Sequence, residues 1–587
     1  MSQVDPITLQ VIGGALHTVA KEMAHVLYRM SYSSIIRESQ DLGAGLFDVD
    51  CNTLCESDTS PMHIGSIPGY LRGINKTITS EWQEGDIVMH NHPYYGASHS
   101  PDICIVEPVF FEGEIVGYSA NTGHHVDIGA ATPGLIIDIP DVFAEGMLFK
   151  GTKLYEKGKR NEAIWDYFLG NTRTPYLAAG DLEAQIASTK LGAARFKELF
   201  EEYGKETMQN ACDQLLDYTE SMMRKQIAAI PDGQYRAEGF MDDDGRNRET
   251  RLPVKVCVNV TGDSVEVDLT GSADQTSTAM NVPFDGSTKP AAFFAFRALL
   301  LDSETLETPL NANEGSFRPI SVKAPEGSIF NPRFPTACEA RFTPVQRLVD
   351  LVYQALAPVL PEKVIAGSSA TLSFISYSGI QEDTSDYWIF LEVNGGSYGG
   401  RPQSDGPDSV SDLMANVRNN PIEDLGMHLP LICDRYELRD DQPPGAGEHR
   451  GGIGVVRAQR FLTNGMITHE CDRHEDQPWG IFGGSGGATG KIDIYNVSNK
   501  DDRKSMPAKF SGIAVNKGDV VEISIPNGGG YGSPLNRDPE KIREDILDEF
   551  YSREHAHEVY GVVISDKNEL DVEATNKRRA ELKQQAA

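Results

Sequence analysis

The sequence predicts an α+β, multidomain fold, with mixed β-rich domains, helical insertions and a glycine-rich, β-rich C-terminal half. Three observations carry this reading. Apolar residues recur at three- and four-residue spacing in some windows and run in short strand-like stretches in others. Glycines crowd together after residue 390. A chain of 587 residues also exceeds what one core can hold, and at about 150 residues per domain it divides into roughly three or four.

Residues 1–175 are expected to form an N-terminal α+β domain. It opens with an amphipathic helix in which Ile12, Leu16, Val19, Met23, Val26, Leu27 and Met30 share a face, with Asp5 as cap and Pro6 in the first turn. That helix ends near SYSS. Apolar runs between turns follow, notably GDIVMHNHP (85–93) and DICIVEPVFFEGEIVGYSAN (102–121), where Gly113 separates two strands. Residues 176–232 return to helical spacing through Leu182, Ile186, Ala193, Phe196 and Phe200, then Met208, Cys212, Leu215, Thr219 and Met222.

A middle α+β domain is expected over 233–390. Val254, Val256, Val258 and Val260 alternate against Val265, Val267 and Leu269 across a TGDS turn, which reads as a hairpin. TPVQRLVDLVYQALAPVLP then makes a helix, with Thr343 as its cap and Pro344 in the first turn. The glycine-rich β domain, 391–535, carries NGGSYGGR, GAGEHRGGIG, GIFGGSGGATG and NGGGYGSP between strands such as IGVVRAQRFL. Glycine there serves tight turns, bulges and close backbone approach. The C-terminal helical tail, 536–587, reads as a helical pair from Pro539 with a frayed end at NKRRAELKQQAA.

Composition narrows the function. An apolar fraction of 40% and a charged fraction of 24% suit a folded soluble protein rather than a disordered one. A formal net charge of −33 repels phosphates, arguing against nucleic-acid and anionic-membrane partners. Eight scattered cysteines in a long chain read as reduced thiols, Cys51 and Cys55 forming only an isolated C-x3-C. The chain starts without a basic patch and apolar run, and no stretch of about 18 apolar residues occurs, so a cytoplasmic location is expected.

Most motif readings fail. GGATGKI (486–492) breaks the spacing of a phosphate-binding loop, GGIGVVR lacks the third glycine of a dinucleotide fingerprint, and no G-x-S-x-G elbow is present. His469, Cys471 and His474 in HECDRHEDQPWG read either as a metal cluster or as a polar loop before Trp479. The sharper signal lies in GASHSPD (96–102) and NTGHHVD (121–127), which place His99, Asp102, His124, His125 and Asp127 in two loops flanking a hairpin. Imidazoles and carboxylates together suit Mn²⁺, Zn²⁺ or Fe²⁺. The same residue types also cap turns, so spacing alone leaves both readings open.

RESQDLGAGLFDVD, MHIGSIPG, NHPYYGASHSPDI, ANTGHHVDIGAATPG, GDLEAQIA, PDGQYRAEGFMDDDG, YELRDDQPPGAGEHRGGIGVVR, PWGIFGGSGG and NGGGYGSP together resemble the hydantoinase B/oxoprolinase family, colinearly from about residue 5 to 570. The resemblance implies an enzyme subunit that binds one divalent metal, Zn²⁺ or Mn²⁺, through Asp41, His99, Asp102 and His124. His125, Asp127 and His63 would be catalytic or substrate-facing candidates beside it. It implies a hydantoinase A-type partner that binds ATP and Mg²⁺, in a cytoplasmic hetero-oligomer such as an α2β2 tetramer. The reaction would be ATP-dependent opening of a small cyclic amide (a lactam, 5-oxoproline or a hydantoin). A ketone carboxylase subunit of the acetone or acetophenone type, or a non-catalytic scaffold, are the alternatives. Two departures stand out: His92 replaces an acidic residue in the N-D-P of the family, and His428 a customary glutamate, while His469 and His474 lie outside the pattern.

Overall fold

The computed structural model describes residues 4–302 and 312–586. The opening helix spans Pro6–Met30, and the Asp5 carboxylate accepts hydrogen bonds from the Ile7 and Thr8 amides, satisfying donors that the first turn leaves free. Its buried face, including Ile12, Leu16, Met23 and Leu27, packs on the helix Pro175–Tyr203.

An antiparallel sheet built from β1 (Leu42–Phe47), β2 (Thr53–Glu56), β3 (Ile87–His90), β4 (Asp102–Phe111), β5 (Glu114–His124), β6 (Thr152–Glu156) and β7 (Lys159–Arg160) follows, in the order β2-β1-β5-β4-β3-β6-β7. The β4–β5 hairpin forms its centre. Glu112 and Gly113 make a two-residue turn with both φ angles positive (51° and 82°), the twist that right-handed strands require. Alternation along the hairpin then sorts side chains between two helices. Cys104, Val106, Tyr118 and Ala120 pack with Ile67, Tyr70, Leu71 and Ile74 of the helix Pro61–Thr77, whereas Ile103 and Ile105 pack with Leu182 and Ile186 of Pro175–Tyr203.

A second sheet comprises β8 (Gly233–Met241), β9 (Leu252–Thr261), β10 (Ser264–Asp268) and β11 (Ile320–Lys323) in the order β11-β10-β9-β8. The expected hairpin is β9–β10, with Val258 opposite Val267 and Val260 opposite Val265. The helix Phe342–Leu356 covers β8 and β9. Its cap differs from expectation. Thr343 lies inside the first turn, and its amide and hydroxyl both donate to Glu470, so a distant carboxylate satisfies the helix start that Thr343 was expected to cap.

Two further sheets fill the C-terminal half. One pairs Ser373–Ile380 with Tyr387–Asn394 and Gly465–Glu470, which pairs in turn with Phe510–Val515; the other joins Leu431–Leu438, Val455–Phe461, Asp519–Ser524, Lys491–Asn496 and Asn499–Met506. Between them the glycine segments stack backbone on backbone. Gly445 N–H donates to Gly528 O, Gly528 N–H to Gly452 O, Gly452 N–H to Tyr398 O, and Gly400 N–H to Gly529 O, all at 2.8–2.9 Å. A Cβ at Gly451 would stand 1.8 Å from Gly528 O, and one at Gly528 would stand 2.1 Å from Tyr398 O. Close approach, more than positive φ, is what requires glycine at these two positions. The tail corrects another expectation: the stretch read as frayed belongs to a helix, Val572–Ala586, held by Arg579, whose guanidinium donates to Tyr560 O and Arg537 O.

Candidate metal centre

Asp102 begins β4 and His124 ends β5, and the two are paired across the ladder. Both therefore point to the sheet face covered by Pro61–Thr77, which contributes His63. His99, in the loop before β4, completes the cluster. One donor atom each from His99, Asp102 and His124 lies within 4.8 Å of the others, and all three side chains are buried. Asp102 Oδ1 stands 2.8 Å from His99 Nε2, 3.0 Å from His124 Nδ1 and 3.7 Å from His63 Nε2. His63 Nε2 is in turn 3.0 Å from Asp41 Oδ1. The Asp41 carbonyl accepts from the His124 amide, which ties the loop before β1 to the end of β5.

The protonation pattern gives the cluster its chemical meaning. His99 Nδ1 lies 2.8 Å from the Glu339 carbonyl, which can only accept, so Nδ1 carries the hydrogen and Nε2 a lone pair. Burial, assisted by the Arg341 charge, pushes the His99 pKa down to about 4, so the ring is neutral at pH 7. Its lone pair thus faces a carboxylate oxygen at 2.8 Å, and neither atom supplies a proton. Burial also works against the Asp102 charge, but the His63 charge, helped by the hydrogen bond from His124, outweighs it and holds the carboxyl well below its usual range. At His63 the balance runs the other way: Asp102 and Asp41 overcome burial and raise its pKa. Nε2 of both His99 and His124 lacks a hydrogen-bond partner. Two acceptors in contact are reconciled by a cation. Metal-binding histidines characteristically donate their other N–H to a backbone carbonyl, as His99 does to Glu339. Donors bound at about 2.0–2.2 Å to one ion stand about 2.8–3.6 Å apart in octahedral or tetrahedral shells, close to the separations around Asp102 Oδ1. The residues present fit a divalent metal.

The structure does not bring the other candidates here. His125 follows His124 and so points to the opposite face, where its Nε2 meets Gln185 Oε1 at 2.9 Å and its ring packs edge-on to Phe168. Asp127 accepts from the Arg173 guanidinium at 2.7 Å and from Thr172, clasping the loop before Pro175–Tyr203. His92 sits among Tyr94, Tyr95 and Phe334. His428 is largely exposed beside Asp424. His469 meets Ser373, and Cys471 takes a hydrogen bond from Thr371. Asp472 pairs with Arg347 and Lys509, so that segment is committed to a buried ion network.

Sequence reasoning missed the rest of the site. Arg341 Nη2 donates to Asp102 Oδ2 at 3.0 Å, beside the Ser98 hydroxyl at 2.6 Å. Glu339 and Glu470 join Asp41, His63, His99 and His124 around a small cavity of about 20 Å³, room for about one water, which Leu372, Phe374, Val393 and Val417 close on an apolar side. Burial, with Glu145 nearby, raises the Glu339 pKa well above its usual value. These residues come from segments hundreds of positions away, and no local spacing marks them.

Comparisons with known proteins identify the family and the fold. The family model described as hydantoinase B/oxoprolinase matches residues 5–534. A protein of Pseudomonas sp. (strain NS671), provisionally named as the B component of a D-/L-hydantoinase, is 44% identical over 99% of this chain and 98% of its own length. The crystal structure of the ATP-dependent caprolactamase from Pseudomonas jessenii superposes with a TM-score of 0.90 at 27% identity, covering 99% of this chain and 100% of that one. A nucleotide-free acetone carboxylase shares the fold at TM-score 0.90 and 18% identity, over 99% of this chain and 83% of that one.

Proposed function

Because the chain belongs to the hydantoinase B/oxoprolinase family, we propose that it is the metal-binding subunit of an ATP-dependent hydrolase of small cyclic amides, working with a separate ATP-binding subunit. The observation that carries the reading is the neutral His99 lone pair set against Asp102 Oδ1, with His124, His63 and Asp41 around it. His99, Asp102, His124 and Asp41 would hold a Zn²⁺ or Mn²⁺ ion. Such an ion supplies Lewis acidity that brings the pKa of water from near 16 to about 7.

An unstrained amide resists water through resonance. Phosphorylation of its oxygen by the partner makes the carbon electrophilic and the oxygen a leaving group. This chain's residues then bind and orient the activated ring. The cavity as it stands admits only about one water, so Leu372, Phe374, Val393 and Val417 would part to take the methylene edge of the ring and exclude bulk water, while Arg341, fixed by Asp102, presents a cation to an anionic guest. His63, between Asp41 and Asp102, is placed to accept or return a proton. Co-expression with the ATP-binding partner and a screen of lactams, 5-oxoproline, hydantoins and aromatic ketones tests the proposal. Substrate-dependent ADP release with ring opening, and ¹⁸O from labelled water in the new carboxylate, is the expected result. Labelled bicarbonate entering a carbon–carbon bond, with no ring opened, would replace it with the carboxylase reading.

A further inference from the structure

Hydrolysis of a phosphorylated amide has a choice built into it. Addition of water across the activated C=N bond puts a hydroxyl on the carbon and a hydrogen on the nitrogen, and the carbon then also carries the phosphate-bearing oxygen. If the C–O bond to phosphate breaks next, phosphate leaves with the electron pair, the hydroxyl loses its proton, and the original amide reforms. ATP has then been consumed for nothing. If the C–N bond breaks instead, the ring opens to an acyl phosphate, which a second water converts to carboxylate and phosphate. Nitrogen cannot leave as an anion near neutral pH, so productive cleavage needs an acid beside it.

We propose that Glu470 is that acid, donating its proton to the departing ring nitrogen and so directing the intermediate toward ring opening. The assignment rests on the hydrolase reading above and deepens it. Glu470 closes the strand Gly465–Glu470, is 1% exposed, and lines the same cavity as His99, His124 and Asp41. Its Oε1 accepts both the amide hydrogen (3.0 Å) and the hydroxyl hydrogen (2.9 Å) of Thr343. With both hydrogen bonds on Oε1, that atom is the carbonyl oxygen of the acid, and the proton falls on Oε2. Burial raises the Glu470 pKa, and Thr343, Arg341 and Lys509 pull it back without cancelling the rise. Glu339 stands on the same cavity wall, Asp41, His63, His99 and His124 face it across the cavity, and the neighbouring His469, at about 3, stays neutral. No metal ligand touches Glu470 in the hydrogen bonds of the site, which leaves it for the substrate. As nitrogen departs, its bond takes the Glu470 proton, the hydroxyl proton goes to solvent as the new carbonyl forms, and Glu470 is reprotonated from solvent.

The test uses the complete two-subunit enzyme with a lactam in H₂¹⁸O. In Glu470→Gln, ring opening falls by about 10²–10⁴-fold, while phosphate release outruns it and the recovered lactam gains ¹⁸O, because abortive collapse leaves the water oxygen in the amide. Metal content stays at the wild-type level. Thr343→Val gives a second route: without a donor that favours the carboxylate, the alkaline limb of the ring-opening profile moves to higher pH. Infrared difference spectra of the isolated chain read the proton directly, as a protonated-carboxyl band at neutral pH that Glu470→Gln removes. A wild-type ratio of ring opening to lactam exchange in Glu470→Gln, an unmoved alkaline limb in Thr343→Val, or no such band, overturns the assignment while leaving the hydrolase reading in place. A wild-type complex that opens no cyclic amide overturns both.

Discussion

Replacing Asp102 with alanine removes the atom on which the candidate centre converges, and the structure fixes what should follow. Oδ1 leaves His99 and His124, and Oδ2 leaves Ser98 and Arg341. Ser98 keeps a partner in the Tyr70 hydroxyl at 2.9 Å. Arg341, with a side chain only 5% exposed, keeps no carboxylate within ion-pair distance among the described residues. Stranding one member of a buried ion pair costs about 3–5 kcal/mol. At about 2–4 °C per kcal/mol for a unit of this size, the transition that includes β1–β7 should fall by roughly 6–20 °C. Calorimetry on chelator-treated proteins isolates this term from metal binding. Asp102→Ala combined with Arg341→Met removes both charges and should recover most of the loss. Elemental analysis of the untreated single variant should show a metal affinity reduced by more than about 100-fold, the upper range for merely outer-shell partners. Full metal occupancy in Asp102→Ala would refute the centre. A double variant no more stable than the single would refute the role given to Arg341.

Asp127→Ala and His125→Gln should keep the metal, because both side chains serve the opposite face of the sheet or its flanking loop; metal lost in both, by elemental analysis, would contradict that placement. The isolated chain should show no heat of ATP binding in calorimetry, since none of its glycine segments has phosphate-loop spacing, and micromolar binding would show that reading to be mistaken. Burial pushes His90 and His469 down to about 3 and His92 and His474 down to about 4, against an ordinary 6.5. Between pH 6.5 and about 4 these four histidines take up protons in the unfolded chain that they refuse in the folded one, so their own contribution to stability falls as pH drops, opposed by Glu107, Glu145 and Asp412, which burial raises to about 7 and which bind protons in the folded chain first. His474→Gln should therefore make the melting temperature fall less, or rise more, than in the wild type as pH drops from 6.5 to about 4, and an unchanged pH profile in that variant would refute this account.

The hairpin 102–124 was legible because it is local: two apolar runs meet at a Glu-Gly turn, and the period of two along a strand settles which face each residue takes, although the register shift at Val109/Phe110 was not visible. The same alternation, applied one step further, separates His124 from His125, although adjacent histidines look equivalent in NTGHHVD. Asp41 and His63 entered the sequence reading only through family resemblance, since nothing in their spacing to His99 marks them as neighbours. Arg341, Glu339 and Glu470 were invisible for the same physical reason: they arrive from separate sheets and helices, and a carboxyl that will be buried looks like any surface acid until the fold desolvates it. Thr343 shows the converse error, a correct helix start with the wrong partner for its orphan donors.

The backbone-on-backbone packing around Gly528 has a thermal consequence. Glycine buries almost no apolar surface, so this part of the molecule is held by peptide hydrogen bonds at 2.8–2.9 Å with little hydrophobic contribution. Apolar burial is what gives unfolding its large positive heat capacity and what weakens on cooling. The glycine stack should melt with a small heat-capacity increment for its length, and should hold its share of stability in the cold, where the leucine- and valine-packed helices around it lose part of theirs.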